Sequence, residues 1–478
     1  MYLKKWLFSL LVAGVFLSGC NDSNVHYVEN NVPSASDFNM TLNVNEFNIT
    51  AEWEIASSSE DEDNDTLSAK VLTQGNYGHF DINGSTITYT KTQETNASDT
   101  GTIEITDGSD AVQVTVTVHA LYWIQVSAGG VHTSAVKSDG TLWSWGYNSD
   151  GQLGDGTTIN QSSPVQEATH ATDWVQVSAG GHHTTAIKNN GTLWSWGKNY
   201  YGQLGDGTTI NQSSPVQEAT HAADWVQVSA GGNYTAAIKN NGTLWSWGNN
   251  SYGELGDGTT TRQNSPVQEA THGTDWVQVS TGYFHTAAVK SNGTLWSWGY
   301  NSYGQLGDGT ITHQSSLVQE ATHATDWVQV SARYNHTAAV KSNGTLWSWG
   351  YNSYGQLGDS TTINRSSPVQ EATHAADWIQ VSAGYFHTAA IKSGGTLWSW
   401  GDNGFGQLGD GTNASSYEPI LVNDDSNWQQ ISAGYYHTTA IKSDGTLWSW
   451  GRNSEGQLGD GTTVNKNAPI KIGRTIEE

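Results

Sequence analysis

Gly191-Thr-Leu-Trp-Ser-Trp-Gly197 decides the fold of this chain, because it does not occur once. The same seven residues begin at Gly140, Gly191, Gly242, Gly293, Gly344, Gly395 and Gly445. Successive copies lie 51 residues apart, the last pair 50. A period near 50 with a short aromatic signature marks a repeated unit that buries its faces against its neighbours. Leu193-Trp-Ser-Trp196 alternates as a strand does, and Trp194 and Trp196, two apart, share one face of it. Two indoles per unit are expected to fill the space between adjacent sheets.

Outward from that stretch, each unit reads as four short strands. In the second copy, Trp174-Val-Gln-Val-Ser-Ala179 is expected as strand A, followed by a turn at Gly180-Gly-His-His183. Thr184–Lys188 is expected as strand B, and Asn190-Gly191 as a tight hairpin, since such turns need φ > 0. Strand C is Leu193–Trp196. A glycine-rich loop runs through Gln203-Leu-Gly-Asp-Gly207, and strand D is placed at Pro215–Glu218 with proline first. Four antiparallel strands taken seven times predict an all-β fold, a seven-bladed β-propeller. Neither end carries the polar cap that an open solenoid needs.

The cycle Ala-Gly-Gly-x-His-Thr, then Gly-x-x-x-x-Trp-Gly-x-Asn-x-x-Gly-Gln-Leu-Gly, resembles the repeat of the regulator of chromosome condensation family. The resemblance covers residues 123 to about 473. It implies a seven-bladed propeller without implying one function. The family includes a nuclear guanine-nucleotide exchange factor, secreted enzyme inhibitors and many bacterial proteins.

The first residues read differently. Lys4 and Lys5 precede an apolar run, Trp6 to Leu17, too short for a stable span. The run ends in Leu17-Ser18-Gly19-Cys20, which resembles the lipobox of bacterial lipoprotein precursors; Cys20 is the single cysteine. That resemblance implies cleavage of a signal peptide, residues 1–19, and lipidation of Cys20. A bilayer would then be a partner, and the location extracytoplasmic, on the outer membrane or cell surface. Residues 20–36 are polar and expected as a tether.

Residues 37–120 carry alternating runs, among them Met40–Val44, Ile82–Tyr89 and Val112–Val118, and are expected as a small β-sandwich before the propeller. This module resembles bacterial cadherin-like and immunoglobulin-like adhesion modules in its Asp-rich stretch, Glu60–Leu67, and its Asp-Gly turn at 106–110. Asp61, Asp63, Asp65 and Asp107 are candidate calcium ligands, since carboxylates at alternate loop positions supply hard oxygens. No other cofactor is expected. The propeller is placed at 121–473 and a tail at 474–478.

Net charge is −26 over 478 residues, which speaks against binding nucleic acid through its backbone. No Gly-x-Ser-x-Gly, Walker loop or His-Glu-x-x-His occurs, so no enzyme class is indicated. Histidines recur at 132, 183, 285, 336, 387 and 437, with Tyr234 in the third copy. A catalytic histidine occurs once, so recurrence argues for structural hydrogen bonding. Glu167 and His170 share a loop that could hold a surface ion, and the Asp of each Gly-Asp-Gly reads as a turn residue. Asp150 and Glu455 are copy-specific carboxylates in the first and last units, the one constellation a polysaccharide-active enzyme could use.

Function is sought where the copies differ. The A–B turns and C–D loops emerge on one face by alternation of the strands. There they carry Tyr147, Tyr201, Tyr252, Tyr283, Phe284, Tyr300, Tyr303, Tyr334, Tyr351, Tyr354, Tyr385, Phe386, Tyr435 and Tyr436. Such aromatics suit recognition of a protein or a glycan. The expectation is a membrane-tethered binding scaffold; inhibition of a secreted hydrolase is the alternative. Guanine-nucleotide exchange is disfavoured, because the regular spacing leaves no inserted wedge.

Overall fold

The structure is a computed structural model and describes residues 28–31, 38–43, 48–56, 68–83, 86–92, 97–106 and 111–473. It divides into two compact units, broadly residues 1–119 and 120–478. Every element among the described residues is a strand. Cys20, Asp61, Asp63, Asp65 and Asp107 lie outside the described residues.

The first unit is a sandwich of two four-stranded sheets. One holds Val28–Asn31, Asn48–Ala56, Thr86–Lys91 and Gly78–Asn83 in spatial order; the other holds Phe38–Asn43, Ala111–Leu121, Asp99–Thr106 and Ser68–Thr73. Phe80, Ile87, Tyr89, Ile103, Ile105, Val114, Val116 and Val118 form the core. Two readings of the sequence are corrected. Val28–Asn31, placed in the tether, pairs in parallel with Trp53–Ala56. Ile82–Tyr89 is not one strand, because Asn83 faces Thr86 across an antiparallel pair.

Asp99 ties this unit together from inside. Its carboxylate accepts hydrogen bonds from the Asn76 N–H (2.7 Å), the Tyr77 N–H (2.9 Å), the Thr100 N–H (3.0 Å) and the Tyr89 hydroxyl (2.7 Å). Burial alone would raise its pKa, but these donors outweigh it and hold the carboxyl below the usual range. A depressed folded pKa means stability present above the unfolded pKa and lost as pH falls through the folded value. Asp99→Asn keeps the shape but loses acceptor capacity, and is expected to cost about 2 kcal/mol in urea unfolding of this unit. A change under about 0.5 kcal/mol would rule out this role.

The second unit consists of seven four-stranded sheets, each in the order A-B-C-D and each drawn from one repeat. In the second blade the strands are Trp174–Ala179, His183–Lys188, Leu193–Gly197 and Gln212–Gln217. Strand D therefore begins earlier than expected, and Pro215 is its fourth residue. The strand is outermost, so a missing N–H on its free edge breaks no ladder. Among the described residues each blade is drawn from one continuous stretch of chain. The ring closes by packing of the last blade's inner strands on Trp123–Ala128.

The inner strand A would expose an unpaired edge to the channel. Side chains of the preceding blade cover it: Gln125 Oε1 accepts from the Val177 N–H (2.7 Å) and Ser127 Oγ from the Ala179 N–H (2.9 Å). Gln430 and Ser432 do the same for Val126 and Ala128 across the closure, both at 2.9 Å. This accounts for the recurring Gln-x-Ser of strand A, which removes the edge hazard.

Within the opening motif the two tryptophans are unequal. Trp196 is wholly buried, packs edge-on against Trp174 (5.9 Å between centroids) and donates its Nε1–H to the Gln152 carbonyl of the preceding blade (3.0 Å). Trp194 is half-buried and lies under the Lys188 ammonium (5.5 Å), which also covers Trp174 (4.7 Å) and pairs with Asp173 (2.8 Å). Gly197 closes the motif at φ 98°, where a Cβ would meet the His182 carbonyl at 2.7 Å.

Candidate functional site

The face that carries the A–B turns and C–D loops is built on buried polar triads between blades. His132 Nε2 lies 2.8 Å from Thr184 Oγ1, and that hydroxyl donates to the Gln152 carbonyl at 2.8 Å. The single threonine proton is used, so Nε2–H is the donor and Nδ1 carries the lone pair. The arrangement recurs around the ring and closes it, with His437 on Thr133 (2.9 Å) and Thr133 on the Gln457 carbonyl (2.8 Å). Burial is the first cause that drives the histidines far below their usual pKa, to about 3 for His183, His285, His336, His387 and His437. They are neutral and structural, as their recurrence indicates. In the third blade the Tyr234 hydroxyl donates instead to the His285 carbonyl.

Other recurring polar residues are also committed to the scaffold. Glu167 is buried, and its carboxylate accepts from the Thr169 N–H (2.6 Å), the Ala171 N–H (2.8 Å) and the Trp174 Nε1–H (3.2 Å). His170 points outward at φ 51°, so the two do not form an ion site. Asp155 accepts from the Thr157 N–H (3.0 Å) and Asn148 Nδ2 (3.1 Å), which makes it a turn brace. Among the described residues no cluster of His, Cys, Asp and Glu could hold a metal. Asp150 and Glu455 do not form a pair. Asp150 engages His182 (3.3 Å) and Asn211 (3.1 Å) of the second blade, and Glu455 engages Asn160 (3.1 Å) of the first. Each carboxylate faces the blade that follows its own.

The expected tyrosines are brought together more closely than strand alternation alone shows. From the third blade to the seventh, one row runs through Tyr252, Phe284, Tyr283, Tyr334, Tyr385, Tyr436 and Phe405. Its successive ring centroids are 5.4, 4.4, 5.8, 3.5, 5.3 and 5.2 Å apart. The Arg452 guanidinium ends it, 5.7 Å from Phe405. A second row, Tyr300, Tyr303, Tyr351, Tyr354 and Phe386, adjoins the first, with Tyr252 and Tyr300 4.9 Å apart. Tyr147 lies apart, against His182 at 5.7 Å, as does Tyr201, against Tyr200 at 4.9 Å. These side chains are therefore not freely exposed, as sequence suggested. All are half-buried except Tyr354, 40% exposed, because each ring covers its neighbour's. Burial, the largest cause, raises the pKa of Tyr283, Tyr385, Tyr435 and Tyr436, so their hydroxyls stay neutral.

A model of the RCC1-like domain matches residues 95–369 and 217–477. The chain belongs to the RCC1-like family. A second model, the bacterial Ig domain, matches residues 30–119 and agrees with the N-terminal sandwich. The RCC1-like chain is similar to the ultraviolet-B receptor UVR8 of Arabidopsis thaliana, at 36% identity over 305 residues, 62% of this chain and 69% of that one. It is 31% identical over 308 residues to the human E3 ubiquitin-protein ligase HERC2, of which it covers only 6%. Among solved structures, human WBSCR16 superposes with a TM-score of 0.63 at 22% identity, over 70% of this chain and 94% of that one. Prp20p of Saccharomyces cerevisiae, described with its binding to Gsp1p and histones, gives 0.63 at 22% identity, over 74% and 88%. These likenesses establish the fold, and an RCC1-like propeller is in kind a protein-binding scaffold.

Three residues of the RCC1-like face departed from the repeat without being singled out in the sequence. Tyr200 is 63% exposed beside Tyr201. Arg333 stands where six copies have glycine, and Glu254 where six have glutamine. Comparison of copies at each position exposes the last two. Glu254 is fully buried, accepting from Asn249 Nδ2 (2.9 Å) and the Tyr252 N–H (2.8 Å), and burial pushes its carboxyl up to about 7. A raised folded pKa means stability present below the unfolded value of 4.5 and lost as pH rises through 7. Glu254→Gln, which restores the repeat, is therefore expected to stabilise the protein at pH 8 by up to about 3 kcal/mol and to leave it little changed at pH 5. Denaturant unfolding at the two pH values checks this; equal effects at both would contradict it.

Proposed function

We propose that this chain is a lipid-anchored, extracytoplasmic scaffold that binds a protein partner through the aromatic arc of the third to seventh blades. The observation that supports it is the continuity of the arc. Half-buried rings already held by one another lose little side-chain freedom on binding, which favours aromatic anchors. Their neutral hydroxyls offer hydrogen bonds at the tips. A protein fits this surface better than a glycan. Sugars stack on open aromatic faces, whereas Tyr334 and Tyr385 stack on each other at 3.5 Å and most other rings meet edge to face. The secreted-hydrolase inhibitor is one form of the same reading, with the hydrolase as partner.

The anchor rests on Leu17-Ser18-Gly19-Cys20. Cys20→Ser is expected to move the chain from the membrane fraction of the producing organism to the soluble fraction; unchanged partition would sink the anchor. The surface is tested by cross-linking capture with Tyr303, Tyr351 and Tyr354 changed to Ser, against a control with Val175 and Val226 changed to Thr. Those valines are the second residues of their A strands, at the opposite mouth, and are 50% and 56% exposed. The tyrosine variant is expected to lose the partner while the valine variant keeps it. Capture by the tyrosine variant at the wild-type level would overturn the assignment.

A further inference from the structure

The A–B turn of the fifth blade departs from the other six at one residue. Six copies carry glycine, at 129, 180, 231, 282, 384 and 434, and the fifth carries Arg333. Glycine fits there because a Cβ would lie 2.3–2.6 Å from the ring that opens strand B, as at Gly384 against His387 and Gly180 against His183. His336 nevertheless keeps its bond to Thr388 (3.0 Å), so the backbone at Arg333 is what yields. Strand A extends to Trp327–Arg333, Arg333 pairs with His336, and Tyr334 turns at φ 34°. Elsewhere backbone bonds join neighbouring turns. The Gly232 N–H donates to the Gly282 carbonyl (3.2 Å), Tyr385 to Gly434 (3.1 Å) and Tyr435 to Gly129 (3.3 Å). Among the described residues the two equivalent links on either side of the fifth blade, from the Tyr283 and Tyr334 N–H groups, are not made.

That turn decides how the first row of the arc crosses the fifth blade. The A–B turns of the fourth, sixth and seventh blades each bring two rings, Tyr283-Phe284, Tyr385-Phe386 and Tyr435-Tyr436. The fifth brings one, because Asn335 is 7% exposed and accepts from Gln305 Nε2 at 3.2 Å. Tyr334 stacks on Tyr385 (3.5 Å, 22° between planes), meets Phe386 edge-on (5.5 Å) and lies 5.8 Å from Tyr283. A second bridge between Tyr283 and Tyr385 runs through Tyr435, at 6.2 and 4.8 Å. Arg333 holds that ring as well. Its guanidinium lies 5.6 Å from Tyr435, and its Nη2 donates across the axis to the Ala128 carbonyl of the first blade at 2.9 Å. Tyr435 is seated over glycines, where a Cβ on Gly130 or Gly181 would come within 2.8 or 3.0 Å of it. The space left beside these side chains is too narrow for a water molecule.

We propose that Arg333 is the positioning residue of the aromatic arc: its Cβ imposes the turn that stacks Tyr334 on Tyr385, and its guanidinium holds Tyr435. The first row thereby runs unbroken from the fourth blade to the sixth. A left-handed turn at a residue other than glycine is a cost that persists only where the surroundings impose it, and here it places a ring where the fifth blade has Asn335 instead of a second aromatic. With glycine at 333 the turn is free to take the form of the sixth blade, in which the Tyr385 N–H donates to the next turn. The Tyr334 N–H then gains the Gly384 carbonyl, and the stack on Tyr385 opens. The guanidinium adds a cation–π contact to Tyr435 and a carbonyl bond that a short side chain cannot reach. The consequence for binding rests on the arc being the recognition surface; the placement of the two tyrosines does not.

Hydrogen exchange of the full chain, read peptide by peptide, compares the wild type with Arg333→Gly and Arg333→Ala. Arg333→Gly restores the residue of the other six copies, and thermal unfolding verifies that each variant folds. Arg333→Gly is expected to gain protection in the peptides that hold Tyr283 and Tyr334, as both turns recover their backbone links. Its near-ultraviolet circular dichroism is expected to change in the tyrosine band as the stack opens. A substitution that only loosened packing would lower protection there instead. Arg333→Ala keeps the Cβ, so the Tyr283 and Tyr334 peptides are expected to exchange as in the wild type, while protection falls around Ala128 and Tyr435. Cross-linking capture reads the consequence for binding: Arg333→Gly is expected to hold the partner about fivefold less tightly. No gain of protection in Arg333→Gly, or an equal gain in Arg333→Ala, would overturn the placement whatever capture shows. Recovered links with capture at the wild-type level, while the Tyr303, Tyr351 and Tyr354 variant loses the partner, would overturn the role of Arg333 in recognition. Capture by both at the wild-type level overturns the arc as the recognition surface, with the placement still decided by exchange.

Discussion

Lowering the pH from 7 toward 5 is expected to unfold the propeller. Six histidines, at 132, 183, 285, 336, 387 and 437, are wholly buried and bound to the next blade through a threonine. Burial lowers every one of them, to about 3 in five cases, against an ordinary 6.5. The depressed folded pKa sets the sign. Above 6.5 both states leave the rings neutral, and their contribution is fully present. Below 6.5 the unfolded chain takes protons that the folded one refuses, and stability falls by about 1.4 kcal/mol per pH unit for each ring. Six rings together give about 8 kcal/mol per pH unit, against a total stability of about 5–15 kcal/mol for typical domains. Glu254 acts in the opposite direction over its own window, but it is one group against six. Urea unfolding at half-unit intervals between pH 7.5 and 5 measures the slope. Stability that stays flat across that interval would show that the rings are not held neutral by burial.

Trp298→Ala is expected to cost about 3–5 kcal/mol and Trp296→Ala distinctly less, about 1–2 kcal/mol. The two residues are two apart in the same strand and equally constant through the copies. Trp298 is fully buried among Leu244, Trp276 and Val279, lies 6.2 Å edge-on from Trp276, and donates to the Glu254 carbonyl at 2.8 Å. Its removal opens a cavity between two blades and leaves the buried Glu254 carbonyl with one donor, the Thr286 hydroxyl (2.8 Å), in place of two. Trp296 is half-buried, with its Nε1 on Thr294 (3.0 Å) and Lys290 5.8 Å above its ring, so truncation exposes surface instead of hollowing the core. Equal costs in chemical denaturation would contradict this division of labour.

Much of the architecture is legible in one repeat. The 51-residue period fixes seven units, and alternation places strands A, B and C nearly where they lie. Strand D is longer than a strand opening at Pro215, because an outer edge tolerates proline in its middle. The buried histidines were recognisable as structural from their recurrence, but their threonine partners were not, since each bond joins residues about 52 apart. The aromatic face shows the same limit. Which loops carry tyrosine is written in the chain, whereas the half-burial of those tyrosines depends on rings supplied by the neighbouring blade. Arg333 and Glu254 left the clearest trace, as single departures from a position otherwise constant.

The central claim, that recognition sits on the aromatic arc, is tested most directly by hydrogen exchange of the full chain with and without its captured partner. Protection is expected in the loops around Tyr252, Tyr283, Tyr300, Tyr303, Tyr334, Tyr351 and Tyr385, with none added at the opposite mouth around Val175, Val226 and Val277. New protection at that opposite mouth or along the outer D strands, with the tyrosine loops unchanged, would contradict it.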